Sequence, residues 1–302
     1  MDPPPALLAE LEPHAVELLE RHLATAREWF PHALVPWSRG RDFHDPGDWE
    51  PNDDSPIGAA ARSALFVNLL TEDNLPYYFR TISDRLGRDG PWGTWVRRWT
   101  AEEGRHAIVI RDYLTVTRAI DPVALERARM IQVSNGVVPE PSSLADALVY
   151  VALQELATRI AHHNTGRLLP DNAGTKIMTR VAADENLHHL FYRDLTSAAL
   201  EIDPATVVPA IDRQVRHFAM PGTGIPDFSR HARRIADSGI YDFAAHHDQI
   251  LVPVLLRHWR LDRIQGLKAT AEQARERLLS HIDRVGRLAR RIVERRDRQP
   301  TT

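Results

Sequence analysis

Two glutamate and histidine pairs with the same spacing are the residues of this chain best suited to chemistry. Glu103 is followed by His106, and Glu185 by His188, each three positions later. On a helix, residues at i and i+3 lie on one face, less than a turn apart. A carboxylate and an imidazole presented together can bind a divalent cation, or they can form an ordinary surface pair.

Each pair is preceded by a further glutamate at nearly the same distance. Glu72 lies 103 − 72 = 31 residues before the first pair, and Glu155 lies 185 − 155 = 30 residues before the second. Antiparallel helices joined by short turns would bring each glutamate level with its pair. Four buried carboxylates would repel one another and lose their hydration, whereas two divalent cations would balance their charge. The repeated spacing therefore favours a two-metal site over incidental glutamates.

The predicted donor set is rich in oxygen and has one imidazole per metal, which suits iron or manganese. The chain has no cysteine, so thiolate zinc sites, iron–sulfur clusters and disulfides are excluded. The arrangement matches ferritin-like carboxylate proteins, in which two helices supply one Glu each and two others supply Glu-x-x-His. Glu102 and Asp184 each precede a predicted ligand by one residue. They are predicted to hold the outer nitrogens of the histidines, the alternative being solvated helix carboxylates.

Hydrophobic periodicity is helical along nearly the whole chain, and no stretch alternates strictly, which predicts an all-α protein. The longest predicted helices cover residues 6–29, 57–86, 90–120, 144–168, 175–200 and 267–296. Shorter helices are predicted after Asp121 and after Asp203, and over 241–260. Residues 31–56 are rich in Pro, Asp and Gly and predict an extended arm. The fold expected is a ferritin-like four-helix bundle with additional N- and C-terminal helices.

A single domain is predicted over residues 1–302. Its parts are an N-terminal helix and arm (1–56), the four-helix metal core (57–200), and additional helices ending in a basic amphipathic helix (201–302). That last helix is expected to pack back on the domain, as amphipathic helices commonly do. The adjacent histidines 162–163 and 246–247 are predicted to be structural or surface groups, because neighbours on a helix do not face one site. His189 is expected to point away from the cluster for the same reason.

Composition excludes several classes of function. The chain has 302 residues, with 38 Lys and Arg against 41 Asp and Glu. Its net charge of −3 is too balanced and slightly acidic for non-specific nucleic-acid binding, although a local basic patch stays open. No stretch approaches the roughly 18 apolar residues of a membrane span, and the first residues lack the pattern of a signal peptide. The sequence therefore predicts a cytoplasmic protein without a membrane span.

Several longer strings resemble one known family, the soluble acyl-[acyl-carrier-protein] desaturases, including the plant stearoyl-type enzymes and their actinobacterial relatives. The strings are WTAEEGRH at 99–106, QELAT at 154–158, AADENLH at 182–188, FAMP at 218–221 and GIY at 239–241. In order and spacing the resemblance extends from about residue 71 to residue 267. It implies an enzyme with two iron ions that uses O2 and two electrons, usually from ferredoxin, to insert a cis double bond. The substrate is an acyl chain on acyl carrier protein, and the family is usually homodimeric.

The resemblance also implies roles for single residues. Glu72 and Glu155 match the ligands that each serve one iron, Glu103 and Glu185 match the bridging carboxylates, and His106 and His188 match the terminal imidazoles. Thr158 matches a threonine beside the cluster. Its hydroxyl would deliver a proton, or would bond back to a helix carbonyl.

The chain departs from the plant pattern at three places. It has Gly104 and Arg105 where the plant enzymes have Asn-Arg, it reads TEDNLP around Glu72, and residues 35–57 and those beyond 267 match poorly. Acyl length, double-bond position, carrier docking and the electron donor thus stay open. A basic rim for an acidic carrier is expected, with Arg230, Arg233 and Arg234 as candidates beside the alternative of a solvated face.

Fold and ligands do not fix the reaction, so two other functions are kept. One is a di-iron hydroxylase or N-oxygenase acting on a small or carrier-bound substrate. The other is a non-enzymatic iron-binding protein of the ferritin type.

Overall fold

The computed structural model describes residues 6–43, 49, 56–220, 222 and 224–298, and this part of the chain contains helices and no β-strand. The helices are α1 (Ala6–Thr25), α2 (Pro31–Leu34), α3 (Ala59–Glu72), α4 (Leu75–Leu86), α5 (Gly90–Val116), α6 (Pro122–Asn135), α7 (Leu144–Arg167), α8 (Asn172–Ile202), α9 (Pro204–Arg216), α10 (Phe228–Asp237), α11 (Phe243–His246) and α12 (Ala269–Asp297). Helix α11 continues as a π-helix over His247–His258, and Trp37–Arg39 and Leu261–Arg263 form 3-10 turns. The predicted all-α class is confirmed.

Four helices form the core bundle. Helix α3 contacts α5 and α7, and α8 contacts the same two helices, so the four close on one another. Helix α7 is buried on nearly all sides, and apolar residues predominate from Leu144 to Ala161. Side-chain caps fix where the last two helices begin: Ser143 accepts a bond from the Asp146 amide at 3.1 Å, and Asp171 from the Gly174 amide at 2.8 Å.

The single helix predicted over residues 57–86 is wrong, because the chain breaks directly after Glu72. Pro76 has no amide hydrogen, so it cannot donate to the carbonyl four residues earlier. Helix α6 holds the break in place. Asp73 pairs with Arg129 at 2.7 Å, and the Asn74 side chain accepts from Gln132 at 2.7 Å. Glu72 is therefore the last residue of α3, fixed by contacts on both sides of the turn.

The N-terminal region also differs from the prediction. Helix α1 packs against α5 and α8 and ends at Thr25, so that Trp29 lies beyond the helix but is still buried. The predicted arm contains α2 and the 3-10 turn Trp37–Arg39. Residues 44–48 and 50–55 of the arm, and residues 1–5, lie outside the described residues.

The remaining helices cover one side of the bundle. Helix α10 packs on α3, and α12 packs on α9, α11 and the π-helix. Leu278, Ile282 and Ala289 on α12 are buried, so this helix packs back on the protein as predicted. Within the described ranges, no helix combines the length and the apolar character needed to cross a membrane.

Candidate metal centre

The four core helices bring the six predicted ligands to one place inside the bundle. These six residues are between 0% and 7% exposed. Helix α3 supplies Glu72, α5 supplies Glu103 and His106, α7 supplies Glu155, and α8 supplies Glu185 and His188. Such depth is unusual for carboxylates unless they are paired or bind a cation.

The ligand atoms form two groups, each with its donor atoms within 4.8 Å of one another. One group is Glu72, Glu103, His106 and Glu185, and the other is Glu103, Glu155, Glu185 and His188. Glu103 and Glu185 belong to both groups. Two cations placed in these groups would share the two carboxylates, and each would have one carboxylate and one imidazole of its own.

The donor set fits a pair of divalent cations. The Nδ1 atom of His106 lies 3.4 Å from Glu103 and 3.5 Å from Glu185, and the Nδ1 atom of His188 lies 2.8 Å from Glu103. Despite these distances, both Nδ1 atoms, Oε1 of Glu103 and Oε2 of Glu185 are buried without a well-aligned hydrogen bond among the described residues. Buried polar atoms normally have partners. Converging lone pairs that do not bond one another are satisfied by a cation, and oxygen-rich sets with imidazole suit iron or manganese.

Electrostatics support the same conclusion. Burial, and then the carboxylates of Glu185 and Glu103, raise the pKa of Glu155 well above its ordinary value. Burial and Glu185 also raise the pKa of Glu103. Ionisation of all four glutamates at once is therefore unfavourable without a cation. Bound cations would offset the repulsion and allow all four to be ionised.

Glu102 orients His188 from outside the cluster. Its Oε2 atom lies 3.0 Å from Nε2 of His188 and 2.9 Å from Nε2 of His22, and its other oxygen pairs with Arg98 at 2.6 Å. Burial acts to raise the pKa of Glu102, but the bonds from His188 and His22 lower it far below its usual range. An ionised Glu102 holds Nε2 outward, which leaves Nδ1 of His188 facing the cluster.

Asp184 does the same for His106. Its Oδ2 atom accepts from Trp29 at 2.7 Å and from Arg105 at 3.2 Å, and it lies 3.5 Å from Nε2 of His106; Arg180 bonds its other oxygen. Burial acts to raise the pKa of Asp184, but His106 and the other donors lower it to about 2. Asp184 and Glu102 are thus both buried against a histidine rather than solvated.

His162 is a site residue that the sequence analysis missed. Its Nε2 atom lies 3.1 Å from Glu72 and 3.4 Å from Glu185, while Asn68 contacts its Nδ1 atom at 3.2 Å. Burial opposes protonation of this ring, but the bonds to Glu185 and Glu72 raise its pKa to about 9. His162 lies seven residues after Glu155, two helical turns along one face, and this spacing would have found it.

The other adjacent histidines match their predictions more closely. His163 is exposed, and His189 bonds the backbone carbonyl of Ala152 at 2.7 Å, away from the cluster. No local sequence pattern predicts the roles of His22 and Trp29. The tertiary fold alone brings them to their partners, Glu102 and Asp184. Arg230 and Arg234, two of the three arginines proposed for a basic rim, line a surface groove beside α10.

A cavity of about 100 Å³, here called the inner cavity, ends at the metal-side residues Glu72, Thr158 and His162. Its wall is mostly apolar and includes Val67, Ala161, Phe228, Ile235, Met220 and Tyr241. The Thr158 hydroxyl donates to the carbonyls of Glu155 at 3.0 Å and Gln154 at 3.3 Å. An aliphatic group bound in the inner cavity would lie directly beside the predicted ligands.

We expect Asp184→Asn to weaken binding of divalent iron or manganese by about 10- to 100-fold, as loss of an outer partner of a ligating histidine typically does. The neutral amide no longer stabilises the outward N–H of His106. Competition titration with a metal-sensitive dye measures the change. Asp194→Asn, ten residues further along α8 and paired with Arg21, is the control. Equal affinities of the two variants would contradict the role given to Asp184.

The chain is similar to known proteins over nearly its whole length. Residues 5–302 match the family model described as fatty acid desaturase, well beyond the 71–267 expected from the resemblance. DesA1 of Mycobacterium tuberculosis, which bears the name of an acyl-[acyl-carrier-protein] desaturase, is 43% identical over 282 residues, covering 90% of this chain and 83% of DesA1. The chloroplastic stearoyl-[acyl-carrier-protein] 9-desaturase 6 of Arabidopsis thaliana is 31% identical over 253 residues, covering 76% of this chain and 63% of that protein.

Among solved structures, the X-ray structure of DesA2 from Mycobacterium tuberculosis, also named as an acyl-ACP desaturase, matches with a TM-score of 0.72 and 28% identity. The match covers 89% of this chain and 99% of that one. The helical bundle and the helices on both sides of it are therefore shared with a solved ferritin-like fold.

Proposed function

Because the chain belongs to the fatty acid desaturase family, we propose that it is an acyl-[acyl-carrier-protein] desaturase that introduces a cis double bond into a fatty acyl chain. The observation that carries this proposal is the pair of buried ligand groups at the end of an apolar cavity. The proposal includes two iron ions per chain held by the six ligands, O2 as co-substrate and a ferredoxin-type electron donor. It also includes a homodimer in the cytoplasm and one domain over residues 1–302.

The substrate explains why such a site is needed. A methylene group within an alkyl chain has no acidic hydrogen, so no side chain can remove one by acid–base catalysis. A bound iron pair would supply the reduction of O2 to two waters, which takes two electrons from the donor, two protons from solvent, and two hydrogen atoms (two protons with two electrons) from the CH2–CH2 unit.

The residues of the chain position the metal ligands and the substrate, and they exclude water from the site. Glu102 and Asp184 hold the two histidines with Nδ1 inward, and the shared carboxylates fix the separation of the two sites. The apolar wall of the inner cavity orients neighbouring methylenes beside the site and excludes water from it. Thr158 is placed where the cavity meets the ligands, and we propose that its hydroxyl delivers a proton there.

Thr158→Val is expected to lower kcat by about 100-fold, the lower end of what a positioned proton donor contributes, with iron content unchanged. Thr158→Ser should keep most of the activity because it retains the hydroxyl. Thr165→Val is a matched control, since Thr165 is also buried on α7 and bonds back to the carbonyl of Ala161. Turnover of Thr158→Val equal to that of Thr165→Val would show that the hydroxyl serves only the helix.

To test the proposed function, the iron-loaded protein is reduced and then mixed with O2 and acyl carrier proteins that carry different acyl chains. The masses of the acyl chains are then measured by mass spectrometry. We expect one or more chains to become lighter by two hydrogens. A chain heavier by one oxygen would identify a hydroxylase instead. Unchanged chains together with many irons bound per protein would identify an iron-storage function.

A further inference from the structure

The two glutamates that belong to only one ligand group, Glu72 and Glu155, are oriented in the same way. We call the groups the His106 group and the His188 group, after the histidine in each. The Oε2 atom of Glu72 lies 3.8 Å from Nδ1 of His106. The Oε2 atom of Glu155 lies 3.8 Å from Nδ1 of His188. Each of these unshared glutamates therefore directs one oxygen towards the histidine of its own group.

The other oxygen of each unshared glutamate meets a donor on a neighbouring helix. His162 on α7 places its Nε2 atom 3.1 Å from Oε1 of Glu72 on α3. Trp99 on α5 donates its indole N–H to Oε1 of Glu155 on α7, also at 3.1 Å. His162 is 1% exposed and Trp99 3%, and such buried bonds are stronger than bonds in water. Two donors of different chemistry thus occupy equivalent places in the two groups.

The Nε2 atom of His162 carries a hydrogen in both forms of the ring that suit this place. The protonated ring, which its raised pKa favours, has a hydrogen on each nitrogen. In the neutral ring, the amide nitrogen of Asn68 lies 3.2 Å from Nδ1 and can only donate to it, so the ring hydrogen is on Nε2. In either form Nε2 donates to Glu72 and has no lone pair free for a cation.

Each donor also contacts a second ligand of the same group. The Nε2 atom of His162 lies 3.4 Å from Oε1 of Glu185. That oxygen is the one which faces the His106 group, since it lies 3.5 Å from Nδ1 of His106. The Trp99 ring contacts the His188 ring edge to face, with 6.5 Å between their centroids. His162 therefore serves the His106 group, and Trp99 serves the His188 group.

On the basis of the function proposed above, which places a cation in each group, we propose that His162 and Trp99 are positioning residues. Each orients the unshared glutamate of one metal site. The terminal torsion of a glutamate is broad, so a carboxylate without a partner can turn either oxygen towards a cation. A bond to Oε1 removes this freedom and keeps Oε2 directed into the group. Hydrogen bonds of this kind to ligating carboxylates affect both metal affinity and activity.

The direct test is Mössbauer spectroscopy of the reduced protein loaded with isotopically enriched iron, because the spectrum reports the surroundings of each iron. His162→Leu removes one donor, and Trp99→Phe removes the other while keeping an aromatic ring. We expect each single variant to change the signal of one iron and leave the other at its wild-type position. In the double variant no iron should keep the wild-type signal, because the two donors serve different metals.

Metal affinity and a conservative variant give two further readouts. In calorimetric titration with Mn²⁺, each single variant should bind one of two ions about tenfold more weakly and the other ion unchanged. His162→Gln restores an N–H donor near the place of Nε2, so it should keep the wild-type spectrum and affinity. If His162 were itself a ligand, the loss of its imidazole nitrogen in His162→Gln would change the spectrum as His162→Leu does.

Matched controls lose the same chemical groups without a bond to a glutamate. Trp95 lies one turn before Trp99 on α5, and its ring centroid is 6.2 Å from that of His188. Its indole N–H, however, donates to the Tyr192 hydroxyl at 3.0 Å. His189 is buried and bonds a backbone carbonyl. Trp95→Phe and His189→Leu should therefore keep the wild-type spectrum and affinity. Trp99→Phe changes little volume, so it decides the question even if His162→Leu fails to fold.

The positioning role and the proposed function fail in different ways. Single variants with unchanged spectra, in a protein that binds two irons and desaturates normally, would overturn only the positioning role. A change at both irons in each single variant would also overturn it, because altered packing would then be the cause. A wild-type protein that binds no pair of irons would overturn both. If the variants behave as expected but no acyl chain is altered, only the proposed reaction is contradicted.

Discussion

Glu185→Gln is expected to abolish desaturation and remove most of the bound iron while the helices stay folded. Glu185 is one of only two carboxylates that belong to both ligand groups, so its loss affects both metals at once. Glutamine keeps the size of the side chain but has no negative charge to share between two cations. Since changing an outer partner of a metal ligand already costs 10- to 100-fold, we expect activity to fall by more than about 100-fold.

The measurements are iron per chain by elemental analysis and acyl products by mass spectrometry. Glu201→Gln provides the matched control, because Glu201 lies on the same helix and is exposed. It should bind iron and turn over like the wild-type protein. A Glu185→Gln protein that retains its iron and its activity would contradict the assignment of Glu185 as a shared ligand.

Removal of iron is expected to lower the melting temperature by about 9 °C. Without iron, four buried carboxylates lose the cations that balance their charge. The raised pKa values of Glu155 and Glu103 show that ionisation is then unfavourable. Two sites, each at about 100 times its dissociation constant, contribute about 2.7 kcal/mol apiece to the free energy of unfolding. With an unfolding entropy of about 2.1 cal/mol/K per residue, each kcal/mol corresponds to about 1.6 °C for a chain of 302 residues.

Calorimetry of the chelator-treated and the iron-reloaded protein measures this difference. For Glu185→Gln the difference in melting temperature should be small, because this variant holds little iron in either sample. For Thr158→Val the full difference is expected, because the Thr158 hydroxyl has no part in binding metal. A wild-type protein that melts at the same temperature with and without iron would argue that the buried glutamates are satisfied without cations.

The main features of the bundle could be predicted from the sequence because they depend on local patterns. Helical periodicity is visible within a few turns, and two Glu-x-x-His pairs at matching distances from Glu72 and Glu155 require only antiparallel helices to converge. Helix boundaries with side-chain caps, such as Ser143 and Asp171, were found to within a few residues.

The features that were missed depend on contacts between distant residues. The break after Glu72 is hidden by apolar residues that continue the pattern, and the residues that hold it, Arg129 and Gln132, lie on another helix. Trp29 reaches Asp184 across 155 positions, and His22 reaches Glu102 across 80. His162 differs, because its seven-residue spacing from Glu155 was available. Adjacent histidines on a helix face different directions, and one of the two can still face the site: His162 does so, whereas His163 is exposed.

The contacts of the N-terminal region with the cluster also set an order of events during synthesis. Trp29 leaves the ribosome about 155 residues before its partner Asp184, which corresponds to roughly 8 to 30 s at 5 to 20 residues per second. Until α5 has been made, the apolar face of α1, with Leu8, Leu11, Leu18 and Leu19, has neither α5 nor α8 to cover it, and for the rest of the interval it still lacks α8. The nascent chain therefore exposes an apolar surface during its synthesis, and the set of six predicted ligands is complete only when His188 has been made.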